Sequence, residues 1–192
     1  MRILAFVDVH GSLRAIEILK KKAKQADVLV CAGDISIFEQ NLDDLVFRLN
    51  EFGKRVLMIP GNHETEEELE KICSRFKNMR YLHKKDIRMG GYLFIGYGGG
   101  GFALVDPEFE GWSKRYEKEK NLILITHAPP YKTKVDVVFK KHHGNESIKK
   151  FIDRAKPLMV ICGHLHENEG RTDRVGETRV INPGPKGKLV KI

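Results

Sequence analysis

The chain has 192 residues, of which 41% are hydrophobic and 31% charged, with a formal net charge of +8. That length points to one domain over residues 1–192 with room for a substantial core, and the composition excludes disorder and any membrane-spanning apolar run. Three cysteines (Cys31, Cys73, Cys162) follow no zinc spacing and read as reduced core residues, and the apolar run Ile3–Val7 is too short for a signal-peptide core, so a cytoplasmic chain is expected.

In chain order, Ile3–Val7 predicts a buried strand. Leu13–Gln25 predicts a helix whose N-cap is Ser12, with Leu13, Ile16 and Leu19 marking its apolar face. A second strand at Val28–Ala32 is followed by a helix over Leu42–Phe52, with Leu42, Leu45, Val46 and Leu49 at helical spacing. Val56–Ile59 is a third strand, and Thr65–Phe76 a helix that opens with acidic residues suited to the positive end of its dipole. Asp86–Met89 and Tyr92–Ile95 flank Gly90–Gly91 as a hairpin. Strands at Leu122–Thr126 and Leu158–Cys162 enclose a helix at Ser147–Ala155. A second hairpin, Arg171–Val175 with Thr178–Asn182, precedes a last strand near Lys188–Lys191. Strand–helix alternation at one end with hairpins elsewhere predicts an α/β fold, a four-layer α-β-β-α sandwich of two mixed sheets.

The five apolar strands end alike, in residues that carry chemistry. Asp8 and His10 follow the first, Gly33–Asp34 the second, and Gly61–Asn62–His63–Glu64 the third. His127 follows the fourth, and His164 and His166 the fifth. Ligands gather beyond the carboxyl ends of strands in open α/β sheets. Imidazole and carboxylate oxygen suit divalent first-row metals, and the lack of cysteine argues against a structural zinc cage. Two carboxylates neutralise only part of the charge of two divalent ions, so the site would attract phosphoryl groups and acidify a trapped water.

The ordered set Asp8-x-His10, Gly33-Asp34, Gly61-Asn62-His63-Glu64, Thr126-His127 and Gly163-His164-x-His166 resembles the calcineurin-like metallophosphoesterases, in particular their small single-domain bacterial and archaeal members. The resemblance implies a hydrolase of phosphoester bonds that uses two divalent ions, manganese foremost, with iron, zinc or nickel as alternatives. Asp8, His10 and His166 would hold one ion and Asn62, His127 and His164 the other, with Asp34 between them. A hydroxide shared by the metals would attack phosphorus in line. His63 would stabilise the transition state or protonate the leaving oxygen, and Glu64, where much of the family has Asp, would orient His63. The implied substrates are small phosphodiesters or nucleotides, contacted by Asn62 and His63.

Taken singly, Asp8 and His10 read equally well as helix-capping residues, and only their order with the rest of the set favours ligation. His83 reads as exposed, and His143 as a loop residue able to line the substrate pocket. Gly96–Gly101 fits a dinucleotide-binding glycine pattern, but Pro107 argues against a following helix, so a mobile loop over the site is expected instead. The basic residues are scattered in short pairs without interleaved aromatics, so a nuclease acting on DNA or RNA is the weaker reading. A non-catalytic scaffold is a third, opposed by the filling of every ligand position. Neither a membrane partner nor a given oligomeric state is implied.

Overall fold

The computed structural model describes residues 1–192. Its first sheet takes β1 (Arg2–Phe6), β2 (Val28–Cys31), β3 (Val56–Met58) and β4 (Met79–Tyr81). These run parallel and are joined by α1 (Leu13–Ala23), α2 (Leu42–Asn50) and α3 (Glu66–Ser74). The second sheet takes β5 (Lys85–Met89), β6 (Tyr92–Tyr97) and β7 (Leu122–Thr126), with α4 (Pro107–Ser113) between the last two. A two-stranded ribbon follows, β8 (Val137–Val138) and β9 (Lys141–His142), then α5 (Glu146–Ala155), β10 (Met159–Ile161), β11 (Thr172–Val175) and β12 (Thr178–Ile181). The last strand, β13 (Lys188–Lys191), returns to the first sheet. Sheet orders are β13-β1-β2-β3-β4 and β11-β12-β10-β7-β6-β5, mixed in both cases.

Strand alternation sorts the side chains into layers. Ile3, Ala5 and Val7 face Ile123, Ile125 and Ile161 in a core between the sheets. Leu4 and Phe6 face outward onto Ile16, Leu19, Leu45 and Ile72 of the first three helices. Leu124 and Val160 of the second sheet pack on Phe109, Phe151 and Ile152 of α4 and α5. The result is the four-layer α-β-β-α sandwich. Ser12 caps α1 by accepting from the Ala15 N–H, and Thr65 caps α3 in the same way.

Three expectations are corrected. Leu13 is 54% exposed, and Ala15, Ile16, Leu19 and Ala23 form the buried face of α1. Pro107 starts a helix rather than preventing one. It stands at the first helical position, where its missing N–H costs nothing, and Asp106 accepts from the Phe109 N–H as the cap. His83 is buried, its Nδ1 accepting from the Gly98 N–H at 2.7 Å and its Nε2 lying 3.0 Å from Glu66. It follows β4, a three-residue strand too short to show a period in the sequence.

Candidate dinuclear metal centre

The strand ends that converge come from both sheets: β1, β2 and β3 from one, β7 and β10 from the other. Each chain segment leaves its strand sharply. Asp8, His10, Asp34 and His164 all have positive φ, between 47° and 69°, a region in which non-glycine residues are strained. Gly33 and Gly61 allow two of these turns to touch. A Cβ on Gly61 would overlap the Asp34 carboxylate, and one on Gly33 would press on the Gly61 backbone.

Asp34 is the centre of the cluster. Its Oδ2 lies 3.4 Å from His127 Nε2, 3.8 Å from His10 Nε2 and 3.9 Å from His63 Nε2. On one side, His10 Nε2 is 3.0 Å from His166 Nε2, and His166 Nε2 is 4.0 Å from Asp8. On the other, Asn62 Oδ1 is 3.0 Å from His127 Nε2 and 2.9 Å from His164 Nδ1. Thus Asp8, His10 and His166 form one group able to hold a cation, and Asp34 adjoins it and the Asn62, His127 and His164 group alike. All seven expected ligand positions meet in one place.

The donor set fits metal ions by a geometric test. Two ligands about 2.1 Å from one ion at a right angle stand about 3.0 Å apart. That is the spacing of His10 to His166 and of Asn62 to both of its histidines. Tautomers agree with it. His127 Nδ1 lies 2.9 Å from the Ala32 carbonyl and His10 Nδ1 lies 3.2 Å from that of Ser36. Each carbonyl must accept the Nδ1 proton, which leaves a lone pair on Nε2 facing the site.

Those lone pairs then face carboxylate and amide oxygens, an arrangement that needs a positive charge between them. A metal ion would supply it, and the same oxygens favour a proton on His127. Burial opposes a charge on His127, but the hydrogen bond and charge of Asp34 outweigh it and raise the His127 pKa. Burial likewise works against ionised Asp34, yet His127 and His63 hold its carboxyl at about 2. Burial raises the Asp8 pKa, only partly offset by His127 and His166. It depresses His164 to about 4, with His127 adding repulsion, so His164 stays neutral and ready to ligate. His164 Nε2 is buried with no partner.

His63 differs from these ligands. Its Nδ1 accepts from the Phe38 N–H at 3.3 Å, so the neutral ring carries its proton on Nε2, on the side of Asp34. A protonated nitrogen cannot ligate but can donate. Although His63 sits with His10 and Asp34 in a third potential metal group, its tautomer argues against ligation there.

Glu64 does not orient His63, contrary to expectation. Its carboxylate is buried and accepts from the backbone N–H groups of Asp34, Ser36 and Gly61, at 2.9–3.0 Å, and from the Ser36 hydroxyl at 2.7 Å. It ties the ends of β2 and β3 together. His143 makes no hydrogen bond through its ring to the cluster; its backbone N–H bonds the Asp136 carbonyl, and the neighbouring His142 pairs with the Asp136 carboxylate.

Four further residues bear on the site. The carbonyls of Ala32 and Ser36 set histidine tautomers, a role for which no side-chain pattern gives a sign. The rings of Phe38 and Phe102 stand edge-on against His63 and His164, at centroid distances of 4.5 and 4.4 Å, and are 73% and 71% exposed. Phe102 follows the glycine-rich loop, which is held to the end of β3 by the Gly99 N–H on the Pro60 carbonyl. An aromatic beside a run of glycines on a strand end is the available signal for it.

The model of one family, the calcineurin-like phosphoesterases, matches residues 1–168, a span that includes the whole cluster. The chain belongs to the calcineurin-like phosphoesterase family. It is a hydrolytic phosphoesterase, and family members characteristically bind a dinuclear metal. An uncharacterized protein of Methanocaldococcus jannaschii is 32% identical, over 99% of this chain and 91% of its own length. Among solved structures, TT1561 of Thermus thermophilus has a TM-score of 0.81 at 21% identity, covering 98% of this chain and 93% of that one. A dimetal phosphatase of Danio rerio has a TM-score of 0.59 at 12% identity, over 94% and 86% of the two chains. An archaeal phosphodiesterase has a TM-score of 0.54 at 17% identity, over 96% and 84%. These structures share the fold.

Proposed function

We propose that this phosphoesterase hydrolyses small phosphodiesters or nucleotides as a single domain, with two divalent ions held by its strand-end ligands. The observation that carries the reading is the pairing of two ligand groups through Asp34, at spacings suited to ions and with imidazole lone pairs turned inward. Asp8, His10 and His166 would hold one ion, Asn62, His127 and His164 the other, and Asp34 would reach both. Manganese fits this mixed nitrogen–oxygen set, as do iron, zinc and nickel. Bound ions would draw in the phosphoryl oxygens and acidify the attacking water.

The remaining work falls to the protein. Asn62 and His63 stand beside each other at the mouth of the site and would contact the phosphoryl group. His63, with its Nε2 proton directed inward, would donate to the leaving oxygen, while the Phe38 N–H fixes the ring from behind. Glu64 would act as a positioning residue, by holding Asp34 rather than by contact with substrate. The exposed rings of Phe38 and Phe102 offer flat apolar surface next to two site histidines, which favours phosphoesters with a base or aryl substituent.

The test is hydrolysis of bis(p-nitrophenyl) phosphate in Mn²⁺. Turnover is expected in the wild type and a loss of roughly 10³-fold or more in Asp34→Asn, since that change weakens both ion sites. Equal rates in the two proteins would refute the proposal.

A further inference from the structure

A cavity of about 450 Å³ lies outside the site and shares no residue with it. Its lining is Lys134, Thr172, Asp173, Arg174, Arg179 and Lys188, without one apolar side chain. We propose that this cleft is a binding site for a small ligand bearing two or more linked phosphates.

The strand register places two arginines side by side in this cleft. Arg174 of β11 stands directly opposite Arg179 of β12, so the two side chains leave the same face of the ladder side by side. Like charges placed directly opposite destabilise a sheet unless an anion lies between them. The face is the inner one: Ile181, two residues beyond Arg179, belongs to the core between the sheets. Arg179 Nη1 reaches 3.5 Å across to the Lys191 carbonyl on β13 of the other sheet. The cleft therefore opens where the edges of the two sheets meet, with Lys188 of β13 on its far side.

These cations lack carboxylate partners. Elsewhere on the surface Arg48, Arg88, Lys149 and Arg154 have carboxylate partners at 2.6–2.8 Å. None of Lys134, Arg174, Arg179 and Lys188 has an ion pair. Their side-chain contacts are long ones to backbone carbonyls: Arg174 to Glu177 at 3.5 Å, Arg179 to Lys191 at 3.5 Å and Lys188 to Gly170 at 3.3 Å. The single carboxylate of the lining, Asp173, already accepts from the Lys134 backbone N–H at 2.8 Å.

The ligand class follows from charge, size and lining. Two guanidinium groups supply paired donors matched to phosphate oxygens, and the lysines add point charges. The volume is that of a small-molecule site, and the absence of apolar or aromatic lining leaves nothing on which a base would stack. A short oligophosphate meets these terms better than a nucleic-acid strand. The Gly170 carbonyl that receives Lys188 lies four residues after His166, so occupancy of the cleft would bear on the loop carrying that ligand.

The probe is sodium tripolyphosphate added to chelator-treated protein, with binding followed by calorimetry and thermal unfolding. One equivalent is expected to bind, with a rise in Tm of about 5 °C at saturating ligand. Affinity should fall at least ten-fold in Arg174→Gln and in Arg179→Gln and stay unchanged in Asp34→Asn, which separates the cleft from the hydrolytic site. Without ligand, Arg174→Gln should keep or raise Tm, because it removes a repulsion; a purely structural arginine would lower it. The proposal is overturned by an equal Tm rise with sulfate at matched ionic strength, by unchanged affinity in the Arg174→Gln/Arg179→Gln double variant, or by tighter binding of a twelve-nucleotide oligothymidylate than of tripolyphosphate.

Discussion

The two sheets contribute to the candidate metal centre in different ways. The first sheet's share is braced before any ion binds: Glu64 gathers three backbone N–H groups and a hydroxyl from the ends of β2 and β3, and Ser36 in turn sets the His10 ring. In the second sheet's share His127 is buried and tied to the Ala32 carbonyl, but the residues after β10 are looser. His166 is exposed and its ring meets His10 and, at longer range, Asp8, while His164 Nε2 has no partner. The ends of β1 to β3 and His127 are preorganised by buried hydrogen bonds, whereas the loop after β10 carries the ligands that a bound ion would complete. The difference separates side chains that keep the scaffold in shape from side chains that await charge.

Variants should expose that contrast. Among variants outside the ligand groups, the largest effect is expected at His63, which the first sheet holds. His63→Ala should slow turnover by roughly 10²–10⁴-fold with metal content unchanged. Metal analysis beside kinetics checks it, and loss of an ion would mean that His63 ligates.

Glu64 tests the brace itself. Glu64→Gln puts an amide where a carboxylate accepts four hydrogen bonds and should cost about 3 kcal/mol or more, read by denaturant unfolding of metal-free protein. A change under about 0.5 kcal/mol would show that the strand ends hold without it.

The loop after β10 should show instead in pH dependence. His164 is depressed to about 4, first by burial and then by His127, so the folded metal-free protein binds fewer protons there than the unfolded chain. Its contribution is present above about pH 6.5 and is lost as pH falls toward 4, on the order of 3 kcal/mol in all. His164→Asn should flatten stability across that window, and an unchanged slope would contradict the assignment.

What is legible in the sequence follows the same division. Short β-branched runs that stop at Asp, Asn or His are local signals, and they mark the five strands, the two-sheet architecture and all seven clustered positions. Glu64 is misread from sequence because its true partners, Asp34 and Ser36, are 30 and 28 residues away and leave no periodic trace. The burial of His83 rests on a three-residue strand and a distant Gly98. Pro107 misleads because the same ring that breaks a helix interior favours a helix start, and only the Asp106 cap distinguishes the two.

The most direct measurement is the number of metal ions per chain and their positions, by elemental analysis and anomalous diffraction of protein purified with Mn²⁺. Two ions are expected, one among Asp8, His10 and His166 and the other among Asn62, His127 and His164, both within reach of Asp34. No ion between Asp34 and either histidine group, in protein that hydrolyses phosphodiesters, would contradict it.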